Sequence, residues 1–468
     1  MATRLKTAFK LTAAVALLAG WFTTANAANG DKPKARDAGL PSIPEPRFRQ
    51  ADHPRLKMNE WKAELPAERI NDFILMSKSV TNAYVVTSDE GDVVINTGMP
   101  DHGKRHRERF EQMLGRPLKV AKVIFTQDHL DQTGGWQAFD DPGGERIGQR
   151  EFARLSAERE MLAPFFKARN ARILRAIQEK IARESSGAAP AKIVPVTLTR
   201  TFADDYAFTL GGRQFELIST PSGETLDALC VWLPDEKVLF TGNFMSAVFG
   251  TMPNFTTLRG DRQRSVPGFL RELQRLIDLE PELLVTGHGD PLRGKAEIRT
   301  ALTKIRDAVR YVHDETVRRM SAGEDLETIM KQVELPPELK LSPLGRGPTR
   351  WYVRTIWEEY TGWFRQELTS ELYATPARAV WPTLAEMAGG GEAVAAQAEK
   401  FLAAGEVEKA LHMIEVAVEA APEDKRVRTI EARILVRMID DTGGVGFDEI
   451  GWLESRLRDA RQVTEKPR

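Results

Sequence analysis

The chain has 468 residues, 42% of them hydrophobic and 28% charged, with a formal charge of −1. That composition leaves room for two or three cores, and no basic stripe stands out, so nucleic acid is not an expected partner. The single cysteine excludes an internal disulfide; Cys230 stands in an apolar strand, Ala228 to Leu233, and reads as a small buried hydrophobe.

The N-terminus reads as an export signal. Arg4, Lys6 and Lys10 precede an apolar run from Leu11 to Phe22, and Ala25-Asn26-Ala27 fits a small-x-small cleavage site. The run is shorter than the roughly 20 residues a membrane span needs. Cleavage after Ala27, a periplasmic or secreted location and no membrane span after processing are expected. Loss of residues 1–27 removes three positive charges and no negative one, which takes the charge from −1 to −4. Residues 28–60 carry Pro33, Pro41, Pro44, Pro46 and Pro54 among charges and suit an extended arm or disorder.

Strands begin at Phe73–Met76, continue at Ala83–Val86, and resume at Asp92–Gly98 after the turn Asp89-Glu90-Gly91. Short turns between them predict an antiparallel start to a sheet. His102 to Leu114 is charged and helical, as a surface helix would be. His102 and His106 stand four apart, which suits either a metal-ligating pair or a solvated face. Val123, Ile124 and Phe125 form a buried strand that ends at Thr126. Gln127, His129, Asp131 and Gln132 then crowd one tight segment before Gly134 and Gly135. Polar groups at the C-terminal end of a strand are where α/β proteins place chemistry. From Glu151 to Glu184 apolar residues recur at helical spacing, from Leu155 through Phe165, Phe166 and Ile173 to Ile181. This insertion could cover the site as a lid or serve as a packing helix pair.

Downstream, Tyr206–Leu210 and Arg213–Ser219 read as a hairpin, followed by Thr220-Pro221-Ser222-Gly223-Glu224. Strands 228–233 and 237–241 follow, the second ending at Gly242-Asn243. A helix from Ser265 to Leu279 leads to a strand that ends at Gly287-His288-Gly289. Four polar sites thus follow four strands: 127–132, 224, 243 and 288.

The recurrence resembles the ligand order of the metallo-β-lactamase superfamily, whose loop pattern is His-x-His-x-Asp-His. The resemblance implies an αββα sandwich, an α/β fold with metal at one edge. His129 and Asp131 match the pattern, with Gln127 and Gln132 at its other two positions. Glu224 after the Thr-Pro turn, the segment Leu258-Arg259-Gly260 and the run Tyr360-Thr361-Gly362-Trp363-Phe364 are similar to the alkylsulfatase family, which hydrolyses dodecyl sulfate and similar esters. That likeness implies an all-α dimerisation domain. Val394 to Met438 fits, with an apolar stripe through Phe401, Leu402, Ala410, Leu411, Ile414, Val418, Ile430, Ile434 and Leu435. The expected organisation is a signal peptide at 1–27, an arm at 28–60, a metallo-β-lactamase-like domain at 61–375, a linker at 376–391 and helical dimerisation residues at 392–468.

By the resemblance, one metal site would use Gln127, His129 and Glu224. The other would use Asp131, Gln132 and His288, with Asn243 where a bridging carboxylate belongs. The four strong donors His129, Asp131, Glu224 and His288 imply one divalent ion, zinc by ligand type, with Gln127, Gln132 and Asn243 as weaker candidates. Asp131 and Arg259 are the expected catalytic residues, Arg259 pairing with an anionic sulfate oxygen. The expected function is hydrolysis of a small anionic ester by a metal-activated water in an exported homodimer. The other class is a catalytically impaired dimeric binding protein. The chain ends at Arg468 without the sterol-carrier-like domain typical of the family, which argues against long-chain surfactant substrates.

Overall fold

A computed structural model describes residues 40–58, 65–184, 192–256, 258–260 and 262–466. The expected signal peptide and residues 28–39, 59 and 60 of the expected arm lie outside these residues. The chain divides into two compact units, 1–41 and 42–468. Of the first, only Leu40 and Pro41 are described, both exposed and without regular structure.

The second unit holds two sheets. The first comprises β1 (Glu68–Arg69), β2 (Ile74–Ser77), β3 (Ala83–Val86), β4 (Asp92–Ile95), β5 (Val120–Ile124), β6 (Glu145–Gln149) and β7 (Arg200–Phe202), in that spatial order. It runs antiparallel through β4 and parallel from β4 to β7. The second comprises β8 (Asp205–Leu210), β9 (Arg213–Ser219), β10 (Leu229–Leu233), β11 (Val238–Gly242), β12 (Leu283–Thr286) and β13 (Leu292–Arg293), ordered from β13 to β8.

Strand periodicity builds the layers. Ile74, Met76, Val93, Ile95 and Ile124 point to one face of the first sheet and meet Leu217, Val231, Phe240 and Val285 of the second. Their neighbours Leu75, Val94, Val123 and Phe125 point the other way and pack on α2 (Gly103–Leu114) through Phe110. On the far side of the second sheet, Cys230, Trp232, Leu239 and Leu284 pack under α6 (Val266–Asp278), α7 (Lys295–Ser321) and α9 (Thr349–Thr361). The result is the expected αββα sandwich. Cys230 is fully buried, and burial pushes its thiol up to about 12, so it is the inert hydrophobe anticipated. Ser265 caps α6 by accepting from the Gly268 amide, with Pro267 in the first turn, which is why that helix begins where it does.

Two expectations are corrected. The helix at 103–114 is not merely a charged surface element: it buries His106, Arg109 and Phe110 against the first sheet, with His102 just before it. His102 Nδ1 bonds Ser79 Oγ at 2.5 Å and His106 Nδ1 bonds Ser77 Oγ at 2.7 Å, so these buried imidazoles fasten the start of the helix to the end of β2 and the turn after it and do not form a solvated face. The insertion is a pair of helices, as its spacing predicts, α4 (Phe152–Asn170) and α5 (Arg175–Glu184). The residues expected as a linker, 376–391, carry a helix of their own at Trp381–Met387.

The described part of the arm is firmly held. The Gln50 amide donates to the carbonyls of Ile173 (2.7 Å) and Phe447 (3.0 Å), which ties together the arm, the insertion and the last helix. A short helix, Pro54–Met58, follows. At the C-terminus, Gly391–Ala403, Val407–Ala420, Lys425–Asp441 and Phe447–Thr464 form an antiparallel array. Much of its stripe is covered within the chain: Ala398, Ala410, Ile414, Ile430 and Ile434 are buried among themselves and Ala385, while Phe401, Leu402, Leu411 and Val418 are half-buried. Most of the large apolar side chains left open lie earlier, among them Tyr360, Trp363, Leu372, Tyr373 and Met387, with Trp452 of the last helix also exposed. Among the described residues no helix is long and apolar enough to cross a membrane.

Candidate active site

The site sits where β4, β5, β11 and β12 end. Asn96, at φ 58°, closes β4 in a left-handed turn that Asn tolerates. Its Oδ1 accepts from the Thr126 amide (3.0 Å) and its Nδ2 donates to Thr126 Oγ1 (3.0 Å), which clamps the start of the polar loop. Gly242 and Gly287 let the other loops close up. A Cβ on Gly242 would lie 2.5 Å from Thr126 Oγ1, and one on Gly287 2.3 Å from Asn243 Oδ1. His129 then precedes a single helical turn, Leu130–Thr133.

These loops bring His129, Asp131, Glu224, Asn243, Arg259 and His288 around one cavity of about 220 Å³. Gln127 and Gln132 are buried behind it. Val80 O takes the Nδ1 proton of His288, because a carbonyl can only accept. His288 Nε2 therefore keeps a lone pair, 3.7 Å from Asp131 Oδ2. Burial holds the His288 imidazole below its usual pKa, so it is neutral at pH 7. Thr81 Oγ1 donates to Asp131 Oδ2 at 2.5 Å and aims that carboxylate. Burial opposes ionisation of Glu224, but His129, Arg264, Arg259 and Arg346 outweigh it and hold the carboxyl at about 2.

Gln127 decides how well a metal fits. Its amide nitrogen donates to His129 Nδ1 (2.6 Å) and to Glu224 Oε2 (3.4 Å). The His129 Nδ1 lone pair is thereby taken, and a proton on the ring sits on Nε2, which leaves no lone pair there for an ion. The other Glu224 oxygen faces Arg259 Nη2 at 3.8 Å. Among the described residues no three His, Cys, Asp or Glu side chains are placed to hold a metal. Gln132 Nε2 and Asn243 Oδ1 have no hydrogen-bond partner among the described residues, and both are neutral where the superfamily pattern has a charge or an imidazole. As arranged, the residues do not fit a two-ion centre, and Gln127 disables a donor besides failing to be one.

The guanidinium side of the pocket was largely invisible in the sequence. Arg55, from the arm, and Arg346 line the cavity with Arg259, and so do Ile177 and Lys180 of α5. The insertion therefore walls the site. Arg55 gave no local signal. Arg346 did: it stands between Gly345 and Gly347, as His288 stands between Gly287 and Gly289. Also unforeseen is a buried carboxyl pair beside the loop. Asp128 is ion-paired with Arg159 of α4, and burial together with Asp128 pushes Asp227 up to about 8, so Asp227 is protonated at neutral pH.

Residues 77–288 match the metallo-β-lactamase superfamily and residues 325–443 match the alkyl sulfatase dimerisation domain. The chain is 26% identical over 400 residues to a linear primary-alkylsulfatase of a Pseudomonas species, a match covering 82% of this chain and 74% of that one. It is 23% identical over 346 residues to an alkyl/aryl-sulfatase of Saccharomyces cerevisiae, covering 69% of this chain and 53% of the yeast protein. The solved structure of a stereoselective inverting sec-alkylsulfatase from a Pseudomonas species superposes with a TM-score of 0.71 at 19% identity, covering 92% of this chain and 76% of that one. At that identity the match shows the fold.

Proposed function

Starting from a chain that joins a metallo-β-lactamase superfamily domain to an alkylsulfatase dimerisation domain, we propose that it hydrolyses a small sulfate or related anionic ester. The observation that carries this reading is the convergence of Arg259 with a neutral His288 and an ionised Glu224 on one cavity. The Arg259 fork matches two oxygens of a sulfo group. His288 Nε2 and Asp131 Oδ2, 3.7 Å apart, can share a water between them. His288 takes its proton as the water attacks, the ester bond breaks, and the products are an alcohol and sulfate. Glu224 is too weak a base for that proton and serves as the counter-charge that orders Arg259 and Gln127. The cavity, about 220 Å³, falls below the roughly 300 Å³ of sites that enclose drug-sized ligands, so a short organic group suits it better than a long tail.

A second reading keeps the superfamily's divalent ion, one zinc shared by His129, Asp131, Glu224 and His288. It requires the Gln127 amide to leave His129; its support is the His288 Nε2 lone pair, which has no hydrogen-bond partner among the described residues. The rest of the reading is export after Ala27 to the periplasm or beyond, and a homodimer. Most of the helical stripe is already covered, so we place the dimer surface on the more open apolar row from Tyr360 to Met387. Trp363→Ser with Met387→Ser should yield a monomer by light scattering; a persisting dimer places the interface elsewhere.

The deciding experiment measures metal per chain in protein purified without chelator, alongside hydrolysis of short alkyl and aryl sulfates with and without chelator. Hydrolysis that survives chelation supports the proposal. Hydrolysis that appears only with about one zinc per chain selects the second reading. No hydrolysis under either condition removes both and leaves the dimeric binding protein.

A further inference from the structure

The cavity holds more positive charge than the reaction above employs. Arg55, Arg259, Arg346 and Lys180 line it, against the carboxylates of Asp131 and Glu224. Arg55 and Arg346 are 5% and 7% exposed, so they are not solvated surface arginines. Arg346 Nη1 reaches Asp448 at 3.3 Å, and its Nε has no hydrogen-bond partner among the described residues. Arg55 donates from Nη1 to the Leu344 carbonyl at 3.1 Å, and no carboxylate among the described residues comes within ion-pairing distance of it. Burial, then the charge of Arg346, pushes Arg55 down to about 9, while Asp448 and Glu224 act from further away in the other direction. A buried guanidinium with no carboxylate of the described residues in reach, as Arg55 is beside Arg346, is costly unless an anion joins it.

We propose that Arg55 and Arg346 complete the oxyanion subsite that Arg259 begins, binding the sulfo group of the ester and, after hydrolysis, inorganic sulfate. The proposal rests on the ester-hydrolase reading and deepens it. The three guanidinium groups come from the arm, the loop after β11 and the segment before α9, so they approach the cavity from separate parts of the chain. A tetrahedral anion offers enough oxygens for all of them, and planar forks suit it better than point charges. The product fits this subsite better than the ester does, because free sulfate carries one more charge, so sulfate should inhibit competitively.

The test uses the full chain, wild type and Arg55→Met, with calorimetric binding and melting curves in millimolar sodium sulfate, in sodium chloride of equal ionic strength, and in short-chain alkyl sulfate against the parent alcohol. Wild type should bind sulfate and alkyl sulfate but neither chloride nor alcohol, and should melt higher with sulfate. Arg55→Met should lose about tenfold or more in affinity for both sulfated ligands, the scale of one lost charge-assisted hydrogen bond. It should also melt no lower than wild type without sulfate, since it removes a buried charge that lacks a carboxylate. Arg346→Lys keeps the charge opposite Asp448 and loses the fork; it should weaken sulfate binding and raise KM more than it lowers kcat. If Arg55→Met melts lower without sulfate and keeps the wild-type sulfate affinity, the arginines are structural and the proposal is overturned. Sulfate binding that depends on Arg55 in a protein that hydrolyses nothing would uphold the subsite and sink the hydrolase reading. Hydrolysis with an unchanged KM in Arg55→Met would do the reverse.

Discussion

The two sides of the pocket are built differently. The strand-end side, Gln127 to Gln132 with Asn243 and His288, grows directly from the sandwich, and three neutral amides, Gln127, Gln132 and Asn243, stand in it beside His129, Asp131 and His288. The guanidinium side, Arg55, Arg259 and Arg346, is assembled from three segments that lie far apart in the chain. The first keeps its backbone geometry although its side chains differ from the superfamily pattern, because Asn96 bonds Thr126 and Gly242 packs against Thr126, contacts that do not involve the ligand positions. On the second, charge is set by which long side chains reach in. Loop shape and site charge are therefore separable properties of this fold.

The largest expected effect breaks the strand-end side. His288→Ala removes the base and should lower hydrolysis between about a hundredfold and ten-thousandfold with little change in sulfate affinity, as initial rates and binding will show. Equal losses in both would assign His288 to binding. Next, Asp448→Ala removes the carboxylate behind Arg346 and leaves a buried guanidinium uncompensated; a loss of about 3–5 kcal/mol in denaturant unfolding is expected. A loss below about 1 kcal/mol would mean that water reaches Arg346.

A third measurement separates both sides of the pocket from the scaffold behind them. Burial holds His102 down at about 4 and His106 well below its usual value. Between pH 4 and about 6.5 only the unfolded chain binds these protons. The stability the pair contributes is therefore complete above about pH 6.5 and falls as acid is added through that window, by on the order of 3 kcal/mol for His102. Denaturation midpoints from pH 7 to 4.5 should show the decline, and His102→Asn should make it shallower. A flat profile would show that the imidazoles titrate while folded. The smallest effect sharpens the strand-end side. Gln132→His with Asn243→Glu restores an imidazole and a charge, yet Gln127 still caps His129, so zinc per chain by mass spectrometry should rise only partly. Adding Gln127→His should raise it further. A full complement without the third change would show that the Gln127 amide is no barrier.

How much of this was legible varies by element. The strands at 74–77, 92–95, 120–124, 229–233 and 283–286 were readable because each is a short apolar run ended by a turn signal. The strand at 145–149 was not: Glu145, Arg146 and Gln149 carry little apolar signal, and its parallel pairing with β5 supplies the stability that composition does not. The helix at 295–321 also passed unremarked. The His102/His106 pair was legible as a pair and misread in role, since helical spacing does not say whether that face meets water or a sheet.

By itself the sequence determined the short strands and the four polar sites that follow them, because strand periodicity and turn residues are local properties; the αββα sandwich and the gathering of His129, Asp131, Glu224, Asn243, Arg259 and His288 at one edge were what its resemblance to the metallo-β-lactamase and alkylsulfatase families implied. Only the tertiary structure decided what that set can do. Gln127 ties up His129 through a bond between side chains, α5 walls the cavity, and Arg55 and Arg346 enter from segments 291 positions apart. These depend on which distant side chains share a small buried volume. There, charge and hydrogen bonding act through space at a few ångströms, and the order of residues along the chain carries no record of them.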